Sequence, residues 1–279
     1  MQTAPQPLRS PVLTLDVVQA SRAAAASGRP TLQCSLDLSR SETQITVDAA
    51  GFDWQGQHYA YPDPCKDRSI YYWTGQTFEP ASRYSGSLIK LVPTNWGAPT
   101  FEIDGIKMLP TAKVSPYADA QRKVALIAPR GKRILDTCGG LGYFADCCLL
   151  GGAQQVVSFE KNADVLWLRQ INPWSPRPAE ALNLTHGDIS QLITTLPDGT
   201  FDAVLHDPPR FGIAGELYSF EFYSQLARVL RKNGAMFHYI GTPNKLTSGR
   251  DVPAEVAKRL QQAGFKTQPQ GDGLLAQRR

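Results

Sequence analysis

A chain of 279 residues, 42% hydrophobic and 19% charged, has the composition of an ordinary globular protein, with length for one large domain or two smaller ones. Its formal charge of +4 is mild: residues 1–115 carry 10 basic and 10 acidic side chains and the remainder 19 and 15, without the basic run of a nucleic-acid tail. No stretch of about 18 apolar residues exists for a membrane span, no leader pattern opens the chain, and five cysteines without a CxxC pair beside four scattered histidines argue against disulfides and zinc. These features predict a cytoplasmic protein with reduced thiols.

Residues 1–30 read as a tail with three early prolines, then one short helix in "VVQASRAAAASGRP" ended by Gly28 and Pro30. From 31 to 114 the texture is short runs rich in Thr, Ile, Val, Tyr and Phe, such as "TQITVDAAGFDW", "SIYYWTG", "LIKLVP" and "TFEIDGIKML". Gly, Pro, Asp and Asn separate them, which predicts a small antiparallel β-rich domain. "SPYADAQRKVALIAP", 115–129, reads as a helix with Ser115 as its N-cap and Pro116 in its first turn.

Strands and helices alternate from residue 133. "RILDTCGG", "QVVSFEK", "ALNLTHGD", "FDAVLHDPP" and "GAMFHYIG" are the predicted strands; "YFADCCLLGG", "NADVLWLRQIN", "ISQLITTLPD" and "SFEFYSQLARVLRKNG" have helical apolar spacing. Such alternation builds a mostly parallel sheet covered by helices on both faces, here assigned to residues 115–279. "PAEVAKRLQQAGF" and "LLAQRR" add a last helix and an edge strand.

The first of these strands runs into Asp136-Thr137-Cys138-Gly139-Gly140-Leu141-Gly142, a glycine-rich turn that admits a ligand close to bare backbone. A dinucleotide site would want G-x-G-x-x-G. Here an acid comes first, with glycines four and six residues beyond it. That order resembles motif I of class I S-adenosylmethionine (SAM)-dependent methyltransferases, D-x-G-x-G-x-G, with Cys138 standing where the first glycine would be. The resemblance implies that Asp136 orients the methionine end while Thr137, Cys138, Gly139, Gly140 and Gly142 line the ligand. Glu160, with Lys161 beside it, ends the second strand, where a carboxylate can accept both ribose hydroxyls. Gly187 and Asp188 end the third, where this family contacts the adenine amine.

The fourth strand delivers Asp207-Pro208-Pro209-Arg210 to the same rim. Proline is tolerated because the strand has ended, and two in succession fix the backbone direction. Asp207 and a proline carbonyl then form a rigid acceptor pair that can hold a nitrogen in line with a sulfonium methyl, and orientation is most of what methyl transfer needs. The motif resembles the D/N-P-P-Y/F of N-methyltransferases acting on nucleobases or protein amides. Arg210 replaces the stacking aromatic and pairs more naturally with a carboxylate or phosphate. Glu216, Tyr218, Tyr223 and His238 complete the candidate substrate contacts, with "GTPNKLTSGRD" as a further rim loop.

Several strings together, among them "LDTCGGLGY", "INPW", "HDPPRFGIAGELYSFEFY" and "FHYIG", resemble a mainly archaeal group of predicted methyltransferases. The resemblance implies a Rossmann-like class I methyltransferase sheet, SAM as cofactor, and membership of the β-rich part in the same unit. It adds Glu102, Asp104, Lys107, Arg122 and Lys123 as contact candidates. The acceptor stays open between RNA and an anionic small molecule. Two other readings stand beside methyl transfer: aminopropyl transfer by a spermidine-synthase-like enzyme, and a non-catalytic SAM- or RNA-binding module.

Overall fold

The computed structural model describes residues 10–241 and 251–279. The tail at 1–9 and most of the expected rim loop, 242–250, lie outside the described residues. The chain divides into two compact units, Met1–Ala118 with Trp167–Ser175, and Asp119–Leu166 with Pro176–Arg279.

In the first unit β1 (Val12–Leu13) leads into α1 (Leu15–Ala26), which buries Val18, Ser21 and Ala24 on one face. The strands that follow are β2 (Thr31–Cys34), β3 (Thr43–Val47), β4 (Gly51–Trp54), β5 (Gln57–Ala60), β6 (Tyr71–Trp73) and β7 (Phe78–Pro80). β8 (Ser82–Tyr84), β9 (Leu88–Val92), β10 (Thr100–Ile103) and β11 (Ile106–Lys107) complete them. All pair antiparallel, in sheets ordered β2-β3-β4-β5, β1-β6-β7 and β11-β10-β9-β8. Alternate residues of β3 and β4 supply one core, in which Phe52 stacks on Tyr59 at 5.1 Å with Tyr61 and Phe78 around them. The helix expected before residue 30 shares that core through Val18 and Ala24.

The second unit holds the part of α2 (Pro116–Ala125) from Asp119 on and a seven-stranded sheet. In chain order come β12 (Arg133–Asp136), α3 (Tyr143–Leu150), β13 (Gln155–Glu160), α4 (Ala163–Ile171, of which the part up to Leu166 belongs to this unit), β14 (Leu182–His186), α5 (Ile189–Leu192) and β15 (Phe201–His206). α6 (Phe220–Val229), β16 (Leu230–Tyr239), α7 (Val252–Gln262), β17 (Phe265–Gln270) and β18 (Gly273–Arg278) follow. The order is β14-β13-β12-β15-β16-β18-β17, with the first five strands mutually parallel and β18 antiparallel to both its neighbours. Right-handed crossovers therefore send the connection after β12 to one face and that after β15 to the other. Val204, Met236, Leu226, Val229, Val256 and Leu260 pack the face under α6 and α7.

Two expectations are corrected. The last strand is not an edge strand, because Phe265–Gln270 folds back on it through Gly271 (φ 58°) and takes the edge itself. The apolar alternation of β18 fits this inner position, with Leu274 and Ala276 buried. The helical reading of 219–234 also stops early, since β16 begins at Leu230. Among the described residues no helix is long and apolar enough to cross a membrane.

Gly273 sets how closely β18 approaches β16. A Cβ there would lie 2.3 Å from the His238 carbonyl oxygen and 2.8 Å from Phe237 Cζ. Gly273→Ala is expected to lower stability by about 1–3 kcal/mol through overpacking, read as a lower urea midpoint with an unchanged slope.

Candidate functional site

Four strand ends carry the site. Asp136 is the last residue of β12 and Glu160 the last of β13; Asp188 lies just beyond β14 and Asp207 just beyond β15. The sheet order reverses between β12 and β15, the point at which open α/β sheets leave a crevice at the carboxyl ends of their strands.

Asp136 is buried, and its Oδ2 accepts the Ser158 hydroxyl at 2.8 Å from the facing position of β13. Beyond it the turn is pinned to both neighbours: Thr137 N donates to Leu205 O at 3.1 Å and Gly139 N to Phe159 O at 2.7 Å. Gly140 (φ 48°) and Gly142 (φ 84°) occupy left-handed backbone, which explains glycine at both positions. Cys138 takes the remaining small-residue position, and burial pushes its thiol far above the ordinary range, which keeps it protonated.

Glu160 spans the mouth of this turn. Its Oε2 accepts from Gly140 N at 2.8 Å and its Oε1 from Asn162 N at 2.9 Å. Asp188 caps α5 by accepting from Ser190 N and Oγ at 2.9 and 2.7 Å, and its other oxygen pairs with Lys161 at 2.7 Å. Burial alone would raise this carboxyl; the Lys161 and Ser190 bonds outweigh it and hold Asp188 below its ordinary value. At Gly187 a Cβ would meet Leu192 Cδ1 at 2.4 Å, so a larger residue there would turn the leucine side chain aside.

At the fourth strand end, Asp207 is 17% exposed and pairs through Oδ2 with Lys123 at 3.2 Å. Lys123, 2% exposed, also pairs with Asp119 at 2.9 Å and lies over the Tyr239 ring at 4.0 Å. Arg122 extends the chain of charges, bonding Asp119 at 2.9 Å and Asp272 at 2.8 Å. Burial pushes the Asp207 carboxyl up, with Lys123 pulling it back. Burial likewise opposes the charge on Lys123, but Asp207 and Asp119 outweigh it and raise its value.

The double proline behaves as stiff backbone. Pro208 is buried, and the carbonyl of exposed Pro209 accepts the Tyr218 hydroxyl at 3.0 Å. Arg210 and Glu216 are exposed, and the Arg210 carbonyl closes a turn by accepting from Ile213 and Ala214. Tyr218 and Tyr223 are buried. His238 is fully buried, its Nε2 2.8 Å from the Tyr223 hydroxyl, and burial pushes it well below the ordinary histidine range. The described geometry thus brings Asp136, Glu160, Asp188 and Asp207 to adjacent strand ends, and buries His238 and Tyr218 among aromatic rings. Asp119, Asp272, Ser158 and His206 join these contacts beyond the residues that motifs in the sequence single out. The four-residue spacing of Asp119 and Lys123 on one helix was a readable signal; Asp272, 150 residues from Arg122, had none.

No family model matches the chain. An uncharacterized protein of Methanocaldococcus jannaschii is 44% identical over 193 residues, covering 68% of this chain and 66% of that protein. The chain thus spans just under two thirds of the length of that relative. Among solved structures, a spermidine synthase bound to the transition-state analogue AdoDATO aligns with a TM-score of 0.57 at 14% identity, over 71% of this chain and 72% of that one. MnmC2 of Aquifex aeolicus aligns at 0.51 and 20% identity, over 70% and 71%. A SAM-dependent methyltransferase of Mesorhizobium loti aligns at 0.43 and 16% identity, over 58% and 96%. The chain has a Rossmann-like α/β fold, which it shares with the spermidine synthase and MnmC2 structures.

Lys123→Met leaves Asp119 and Asp207 without their shared ammonium. Breaking a buried pair of this kind costs about 3–5 kcal/mol. Asp207, which burial raises, then loses the ammonium that pulls it back, so the penalty is largest where it must ionise and shrinks as it takes up a proton. The variant is expected to melt well below the parent at pH 8 and to close much of that gap at pH 5, checked by thermal unfolding at the two values.

Proposed function

We propose that the protein is a SAM-dependent methyltransferase that delivers the methyl group to a nitrogen, or to another nucleophile of similar reach, on an acceptor bearing negative charge. The observation that carries this reading is the set of four acids at four adjacent strand ends around the order reversal of the sheet. SAM, when bound, supplies a methyl already activated by its sulfonium. Asp136 and the backbone of 137–142 would hold the methionine end, Glu160 the ribose and Asp188 the adenine. Glu160 already accepts an amide of the glycine turn, so ribose and turn would share one carboxylate.

Asp207, with the carbonyl of Pro208, would receive the acceptor nitrogen. Pro209 is less suited, since its carbonyl is taken by Tyr218. Exposed Arg210 supports an acceptor with a phosphate or carboxylate, RNA or a small anion, met in the cytoplasm. The strings shared with the mainly archaeal group of predicted methyltransferases agree with this reading and leave the acceptor atom open.

Aminopropyl transfer to a polyamine is the second reading, and Asp119, Asp207 and Asp272 are the carboxylates it would use. Each of them already faces a resident cation, Lys123 or Arg122, which weighs against a polycationic acceptor. Calorimetry with SAM and with its decarboxylated analogue separates the two: the methyltransferase reading expects tighter binding of SAM.

Incubation with methyl-labelled SAM in lysate is expected to place label in an RNA or small-molecule fraction. Asp207→Ala is expected to cut transfer by roughly 10²-fold, the scale of a misplaced reactant, while donor affinity is kept. Donor binding without label in any fraction would leave a binding module instead.

A further inference from the structure

The residue before Asp207 is His206, fully buried at the end of β15 and assigned no part in the chemistry above. Both of its ring nitrogens are engaged. Nε2 lies 3.0 Å from the Leu217 carbonyl oxygen, which can only accept, so Nε2 carries the proton. Nδ1 is then a lone pair and lies 2.7 Å from Thr137 Oγ1, whose single proton it takes in preference to the more distant Leu205 carbonyl at 3.3 Å. Burial pushes His206 down to about 4, which keeps the ring neutral and this tautomer in place at neutral pH.

The two partners belong to different halves of the candidate site. Thr137 is the first residue of the cofactor turn after Asp136. Leu217 precedes Tyr218, whose hydroxyl holds the Pro209 carbonyl. A closed path therefore runs from Thr137 through the His206 ring to Leu217 and Tyr218, and returns to the double proline beside Asp207. Rings of Phe222, Tyr223 and His238 surround the imidazole at 5.4, 6.3 and 4.4 Å between centroids, which denies it room to turn.

We propose that His206 is a positioning residue that transmits occupancy of the cofactor turn to the acceptor loop 210–218. The path supplies the means: a shift of Thr137 on filling the turn reaches Leu217 through one rigid ring rather than through flexible chain. The inference rests on the SAM reading of the turn.

Hydrogen exchange with and without S-adenosylhomocysteine tests it, without needing the acceptor. The reporters are the amides of Ile213, Ala214, Leu217 and Ser219, all bonded within the loop. The parent protein is expected to show slowed exchange in both 137–142 and 210–219 on binding. His206→Phe fills similar space without either bond, and His206→Leu removes both bonds with less bulk. Each is expected to keep the ligand's protection of the turn and lose it in the loop. Should His206→Phe fail to fold, His206→Leu carries the test alone. Loop protection unchanged in the variants, or absent from the parent while the turn is protected, overturns the inference and leaves the SAM reading standing. No binding of S-adenosylhomocysteine by the parent overturns that reading, and the inference with it.

Discussion

The reversal of strand order between β12 and β15 is the constraint on which the candidate site depends. These two strands are hydrogen-bonded neighbours, yet right-handed crossovers carry their outgoing chains to opposite faces. Their carboxyl ends consequently part above a crevice instead of being roofed by one connection. The glycine turn after Asp136 and the stiff double proline after Asp207 are the two lips of that opening. Thr137 keeps them in register, its amide on Leu205 O and its hydroxyl on His206.

Each acid at the rim is handled by different physics. Asp136 is withdrawn from water and held by a serine on the next strand. Glu160 and Asp188 spend oxygens on backbone amides, which orders the loops that carry them. Asp207 alone faces a buried ammonium, and that ammonium is shared with a second carboxylate. Burial raises the Asp207 carboxyl, and Lys123 beside it pulls it back. Three carboxylates and two cations form one connected network across α2, the end of β15 and the turn before β18.

Much of this was legible in the residues. Alternation of apolar runs predicted the parallel strands of 133–239, since a strand covered on both faces must be apolar throughout. Asp136 and the glycines at 140 and 142 announced a tight strand–helix turn, because left-handed backbone admits few other residues. The final hairpin was not legible. "FKTQPQ" contains a proline and several polar residues, which is edge-strand composition, and its pairing with β18 depends on a turn at Gly271 that local pattern does not single out. The true extent of α6 was also hidden, because Leu230 continues the helical apolar spacing while pairing with Phe201 as strand.

By itself the sequence determined which residues end the strands and which of those ends are acidic, because strand periodicity and glycine conformation are properties of neighbouring residues. Only the tertiary structure decided the partners of those acids. Lys123 meets Asp207 and Arg122 meets Asp272 across separations of 84 and 150 residues, and Thr137 meets His206 because parallel pairing aligns two strand ends. Electrostatics and hydrogen bonding act over a few ångströms, and which groups come that close is set by the fold.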